Sequence, residues 1–244
     1  MNFPRLIAHR GCSTKAPENT LPAFKKAAEL GVPGIELDAQ MCGTGEIVVF
    51  HDFTLERIGG INKTVSETPL DSLREVDAGS WFSPEYKGEK IPLLSQVFEY
   101  LGDSVFYDIE IKHRLKKTRE IENKIIKLIY HFSLENRCCI SSFNPFSLRA
   151  VNKLDSAINT ALIYAVHPEV PVYLRRGQGA LMTRARILKP HILLATPGSF
   201  FFRSKLFRYS IVPWTVNDES ECKKLFALGA AGVISDKAEE FLNV

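Results

Sequence analysis

No stretch of this 244-residue chain comes near the roughly 18 consecutive apolar residues of a membrane span. The run Met1-Asn2-Phe3-Pro4-Arg5-Leu6-Ile7-Ala8 also lacks the apolar segment of a secretory leader and reads as the approach to a first strand. A cytoplasmic protein without stable membrane insertion is therefore expected. None of the five cysteines (Cys12, Cys42, Cys138, Cys139 and Cys222) stands in a CxxC pair, and the odd count argues against a full disulfide framework. Buried, reduced thiols are expected instead. A large excess of one charge is missing too: 31 Lys and Arg face 28 Asp and Glu, a net +3, which is too little to argue for nucleic acid. Any hold on an anionic substrate must come from local positive groups. A GxGxxG turn is absent as well, which removes one of the commonest nucleotide-binding forms of an open α/β sheet.

What is present is ordinary globular material, 45% hydrophobic and 24% charged, enough for a substantial core. Short apolar runs alternate with helical patterns. Strands are expected at Leu6–His9, Gly34–Met41, Ile47–Phe50, Val105–Lys112, Cys138–Ser142, Asn159–Ile163, His191–Leu194, Ser210–Thr215 and Ala231–Ser235. Helices are expected at Thr20–Leu30, with Thr20 as cap and Pro22 in the first turn, and at Leu94–Leu101, Thr118–Phe132, Pro145–Leu154 and Asp218–Leu228. Strand-helix alternation predicts a parallel sheet. Nine strand candidates lie close to the eight of a TIM-type (β/α)8 barrel, with His191–Leu194 as the irregular member; an open doubly wound sheet is the alternative.

Two places break the alternation. The link Gly43-Thr44-Gly45 is too short for a helix. A two-residue turn at Thr44-Gly45 would set Asp38 opposite His51 in antiparallel register, whereas a parallel return would put both at carboxyl ends. Residues 52–92 form a long, turn-rich stretch without a good strand, as expected of a lid or substrate-binding insertion.

The charged residues fall into a pattern. His9-Arg10, Glu36-Leu37-Asp38, His51-Asp52 and Glu110-Ile111-Lys112 all sit at or near strand ends. Glu36 and Asp38 are two apart and share one strand face, as do Glu110 and Lys112. In a barrel these groups point inward near the carboxyl end, where barrel enzymes place their sites. Buried charges must be paired or hold a metal. Three carboxylates without a thiolate suit a hard divalent cation, Mg²⁺ or Ca²⁺, while inward salt bridges without metal are the competing reading of either pair alone. Two strand-end histidines beside carboxylates supply a general acid and a general base. Arg10 offers a forked donor to phosphate oxygens, or an ion pair with Glu18. Trp214 either packs in the core or lines a pocket. His113, His131, His167 and His191 are expected to be packed or solvated. The segment Ser199–Arg208 mixes phenylalanines with arginine and lysine; of an interfacial amphipathic helix and a barrel helix packing inward, the second is expected.

At these residues the sequence resembles the glycerophosphodiester phosphodiesterase family. The matching elements are His9-Arg10-Gly11, Pro17-Glu18-Asn19-Thr20, Glu36-Leu37-Asp38, His51-Asp52, Glu110-Ile111-Lys112, Ser142-Phe143, Trp214-Thr215-Val216-Asn217 and Gly232-Val233-Ile234-Ser235-Asp236, in family order along nearly the whole chain. Cys12-Ser13, Lys237 and the arginine-rich stretch 164–190 depart from the family pattern. The resemblance implies one irregular barrel domain over residues 1–244, with a small insertion, residues 52–92, after the third strand. It implies hydrolysis of a small-molecule glycerophosphodiester to sn-glycerol 3-phosphate and an alcohol. His9 and His51 become the acid-base pair, Glu36, Asp38 and Glu110 the ligands of one divalent cation, and Arg10 and Lys112 the phosphate contacts. Glu18 orients Arg10. The nucleophile is water or the neighbouring glycerol hydroxyl. A lysophospholipase D of the same barrel, and an inactive barrel that binds phosphodiesters or protein, are the other readings.

Overall fold

The computed structural model describes residues 3–112, 120–168 and 170–244. Nine strands form one sheet: β1 Leu6–Ala8, β2 Gly34–Met41, β3 Ile47–Val49, β4 Phe106–Ile111, β5 Cys138–Ser142, β6 Asn159–Tyr164, β7 Ile187–Pro190, β8 Ser210–Ile211 and β9 Val233–Ser235. The order is β8-β7-β6-β5-β4-β2-β1-β9, all parallel, with β3 pairing antiparallel to β2 off this path. Backbone bonds from Ala231 N to Ile211 O (2.9 Å), Ile234 N to Pro213 O (3.0 Å) and Val216 N to Ile234 O (2.9 Å) join the two ends. The sheet thus closes into an irregular (β/α)8 barrel.

The helices are α1 Leu21–Glu29, α2 Glu56–Gly59, α3 Leu70–Arg74, α4 Leu94–Leu101, α5 Glu120–His131, α6 Pro145–Leu154, α7 Pro197–Phe200 and α8 Glu219–Ala227. Apolar spacing explains the long ones: α4 buries Leu94, Val97, Phe98 and Leu101 on one face. Phe98 meets Tyr107 of β4 edge to face at 4.9 Å, and each such buried ring contributes about 1.5–3 kcal/mol by leaving water. Asn144 and Asp218 cap α6 and α8 by accepting from Phe146 N (3.0 Å) and Glu221 N (3.0 Å). Thr20 stands at the start of α1 but does not cap it; its hydroxyl donates to Pro17 O at 2.6 Å. The expected first residues of α5, Thr118 and Arg119, and His113 lie outside the described residues.

Strand alternation layers the barrel interior. Ile7, Phe106, Cys139, Ala161, Ile187, Val212 and Ile234 form the apolar lower layer. Two residues further along β4, β5 and β7 come Asp108, Ser141 and Lys189, all buried. Lys189 is ion-paired with Asp108, which also accepts from Ser141 Oγ at 2.9 Å. Another step along the strands reaches the charged residues of the upper rim.

Three expectations need correction. The seventh strand is Ile187–Pro190, and Ile192–Leu194 is a 3-10 turn. The β2–β3 hairpin pairs Ala39 with Val49 and Met41 with Ile47, and Cys42 N donates to Glu46 O at 3.0 Å. Its loop therefore holds three residues, Asp38 O accepts from Phe50 N at 2.8 Å, and His51 lies one residue past the expected register. Finally, Ser199–Arg208 is no inward-packed barrel helix: α7 continues as a wide π-type turn, Phe201–Leu206, and only Phe200 is buried.

Residues 52–92 add α2, α3 and two 3-10 turns above β3. Leu55, Val65, Leu73, Val76, Ala78 and Ile91 form a small core of their own on Val48 and Phe50. Among the described residues no helix is long and apolar enough to cross a membrane.

Candidate active site

The loop after β1 sets the site's first side chains. Arg10 and Gly11 both adopt left-handed backbone, with φ of 56° and 78°. A Cβ on Gly11 would lie 2.8–2.9 Å from atoms of Ala23, so only glycine lets the loop cross α1 this closely. The turn is held by Arg10 N donating to Glu36 Oε2 (3.0 Å) and Asn19 N donating to Arg10 O (3.0 Å). Asn19 then clasps Asp38: its Nδ2 donates to Oδ2 at 2.8 Å, and its Oδ1 accepts from Asp38 N at 3.1 Å.

Glu36 and Asp38 on β2 and Glu110 on β4 converge, and one oxygen from each lies within 4.8 Å of the others. Lys112 Nζ is 3.3 Å from Glu110 and 3.6 Å from Asp38, and Arg10 Nε is 3.4 Å from Asp38. Burial and the negative charges of Asp38, Glu110 and Asp108 push the Glu36 carboxyl well above the usual range. Burial acts on Asp38 too, but Lys112, His51, Arg10 and the Asn19 bond outweigh it and hold that carboxyl low. Burial opposes charge on Arg10 and Lys112, yet their carboxylate neighbours raise both above their ordinary values. An all-oxygen set this close, in which the charges of Asp38 and Glu110 raise the proton affinity of Glu36, fits a hard divalent cation.

Two histidines face this cluster with the same local device. His9 Nδ1 lies 2.6 Å from Asp236 Oδ1, and His51 Nδ1 lies 2.6 Å from Asp52 Oδ1. His9 Nε2 is 3.9 Å from Glu36. Around Asp236, burial is outweighed by His9 and by the bond from Asn217 Nδ2 (2.6 Å), so its carboxyl is lowered. Around Asp52, burial is outweighed by His51 and Arg57 in the same sense. Arg57 Nε donates to Asp52 at 2.6 Å, and its Nη2 donates to Glu18 at 2.7 Å. Glu18 also accepts from Arg10 at 2.9 Å. A chain of charges thus runs from His51 through Asp52, Arg57 and Glu18 to Arg10.

His9, Arg10, Glu36, His51, Glu110 and Lys112 open on one cavity of about 900 Å³. Trp214 stands on its opposite wall, edge-on to Phe143 (5.6 Å) and His191 (5.2 Å), with Nε1 donating to Lys189 O at 3.0 Å. The sequence reading missed the parts played by Asp236, Asp52, Arg57, Asn19 and the Asp108–Lys189 pair. For Asp236 a signal existed: closing a barrel sets the last strand beside the first, so a carboxylate just after β9 must lie near His9 just after β1.

Residues 9–240 match the Glycerophosphoryl diester phosphodiesterase family. A glycerophosphodiester phosphodiesterase of Caldanaerobacter subterraneus is 37% identical over 98% of this chain and 96% of its own. A lysophospholipase D of Mus musculus is 26% identical over 98% of this chain and 86% of its own. Among solved structures, an Oleispira antarctica phosphodiesterase in complex with the product sn-glycerol-3-phosphate superposes with a TM-score of 0.87 and 28% identity, covering 98% of this chain and 96% of its own.

Proposed function

Because the chain belongs to the glycerophosphoryl diester phosphodiesterase family and is an enzyme of that class, we propose that it hydrolyses glycerophosphodiesters to sn-glycerol 3-phosphate and an alcohol by paired histidine acid-base catalysis at a divalent metal site. The observation that carries this reading is the symmetry of the two imidazoles. Each has its Nδ1 at 2.6 Å from a carboxylate, and both open on the cavity that holds the acidic cluster. With Nδ1–H given to the carboxylate, Nε2 is the working atom of each ring.

Glu36, Asp38 and Glu110 would hold the cation, Mg²⁺ or Ca²⁺, which when bound supplies a fixed positive charge that polarises the phosphate. Arg10 and Lys112 face the same space and stabilise charge on the phosphoryl oxygens as the phosphorus–alcohol bond breaks. Glu18 keeps Arg10 aimed. One histidine takes the proton of the attacking hydroxyl, from water or from the neighbouring glycerol oxygen. The other returns a proton to the leaving alcohol. In the second route, water then opens the cyclic phosphate. We place the enzyme in the cytoplasm, where five buried free thiols would stay reduced. We take residues 1–244 as one domain, since the 52–92 insertion builds its core on β3 itself.

His9→Ala and His51→Ala should each lower turnover of glycerophosphocholine by roughly 10²–10⁴ with little change in melting temperature. Near-wild-type turnover in either would remove that histidine from the mechanism. Glu36→Gln should shift the Mg²⁺ or Ca²⁺ activation curve to higher concentration, and an unmoved curve would defeat the ligand assignment.

One observation favours a second reading on the alcohol side. There the cavity is walled by Phe146, Val170, Tyr173, Leu174 and Leu194, a lining suited to an acyl chain. A lysophospholipase D would turn over lysophosphatidylcholine far faster than glycerophosphocholine; the opposite preference keeps the first reading.

A further inference from the structure

We propose that the barrel wall built by residues 172–208 docks on the surface of an anionic phospholipid membrane. Between residues 156 and 217 the chain has eight Lys and Arg but one acid, Glu169, although its net charge is only +3. Of the eight, Lys189 is buried and paired with Asp108. Arg176, Arg184, Arg186, Lys205 and Arg208 are exposed.

The same wall is apolar. After β6 and β7, where a regular barrel would bury full-length helices, this chain has short turns and the wide turn Phe201–Leu206. Val172, Leu181, Phe201, Phe202, Leu206 and Phe207 are 57–87% exposed. The two segments adjoin: the Arg203 guanidinium donates to Arg176 O and lies 4.9 Å over the Tyr164 ring. Large rings and leucines interleaved with arginine and lysine match an interface whose interior is apolar and whose headgroups are negative. Exposed large apolar side chains gathered on adjoining segments mark an interaction site. A second copy of the chain would bring like charge against like charge, which disfavours self-association through this face. Tyr173 and Leu193, 61% and 79% exposed, also line the cavity, so docking brings the mouth of the site to the lipid surface.

The test is co-sedimentation of the full chain with vesicles of phosphatidylcholine alone or with about 30 mol% phosphatidylglycerol. We expect at least roughly tenfold stronger partition onto the anionic vesicles, weakened at about 0.5 M NaCl. The double variants Lys205→Gln/Arg208→Gln and Phe202→Ser/Phe207→Ser should each lower that partition about tenfold. Their melting temperature and their turnover of water-soluble glycerophosphocholine should stay unchanged. Equal binding to neutral and anionic vesicles, no vesicle binding, wild-type partition of both variants, or a dimer in sedimentation velocity that Phe202→Ser/Phe207→Ser dissolves would each overturn the proposal. The readout is lipid binding, so an inactive protein that still partitions would sink the catalytic reading and leave this one standing.

Discussion

Asp236→Asn exchanges a single oxygen for an amide nitrogen beside His9 and should lower kcat by about 10²–10⁴, or about 3–5.5 kcal/mol of barrier. The geometry fixes which way the new amide points. Asn217 Oδ1 accepts from Asp236 N at 3.0 Å and Ser235 Oγ at 3.1 Å, so its Nδ2 must face the residue-236 side chain, at 2.6 Å. An asparagine there turns its oxygen to Asn217 and its NH₂ to His9 Nδ1. Nδ1 then accepts, the ring proton moves to Nε2, and the neutral ring loses its lone pair toward the cavity. As an acid His9 fares no better, because an imidazolium Nδ1–H would meet an amide N–H. Two charge-assisted bonds, from His9 and from Asn217, become neutral, at about 1 kcal/mol of stability each. The assay is release of glycerol 3-phosphate from glycerophosphocholine at saturating metal, with a melt alongside. A kcat within about threefold of wild type, or a loss confined to KM, would refute the tautomer argument.

Lys189→Met should cost about 3–5 kcal/mol of stability by leaving Asp108 charged and unpaired in the barrel, and Asp108→Asn/Lys189→Met should recover most of it; a strictly additive double-mutant cycle in chemical denaturation would show the pair is not coupled. Without metal, the raised Glu36 carboxyl binds its proton more tightly folded than unfolded. Stability should therefore rise as pH falls through the folded value toward about 4.3. Glu18, Asp52 and Asp236, lowered on folding, reverse the trend below about pH 4, where their contribution is lost. Saturating Mg²⁺ or Ca²⁺ should flatten the upper slope in melts across pH, and a metal-free protein that gains stability with rising pH would contradict this account. Burial pushes the Cys12 and Cys139 thiols up to about 12, so both should resist iodoacetamide in the native protein at about pH 8 and react fully once unfolded, as read by mass spectrometry.

The periodic parts of this fold were legible because each obeys a local rule. The period-2 runs of β2 and β4 put Glu36 with Asp38 and Glu110 with Lys112 on inner faces, and the pairing Asp38↔Glu110 brought them together. What escaped depends on partners distant in sequence. The strand Ile187-Leu188-Lys189-Pro190 is hard to read from sequence because a lysine seldom enters a core, and its partner Asp108 lies 81 positions away. The hairpin register slipped by one because the loop takes three residues. Arg57 joins Asp52 to Glu18 from an insertion helix with no strong pattern. The phenylalanines after Pro197 carry helical spacing, but spacing alone does not say whether a face meets protein or something outside it.

The bond between His9 and Asp236 spans 227 positions. During synthesis the polypeptide emerges in order, so 227 further residues must follow His9 before it finds its carboxylate. A protein cut or stalled just before Asp236 would carry the acidic cluster and both imidazoles yet leave one imidazole without its carboxylate, and one cut before β9 would lose the strand that closes the barrel as well. Of the two imidazoles, His51 can therefore take its carboxylate as soon as Asp52 has been made, and His9 only 227 residues after its own synthesis.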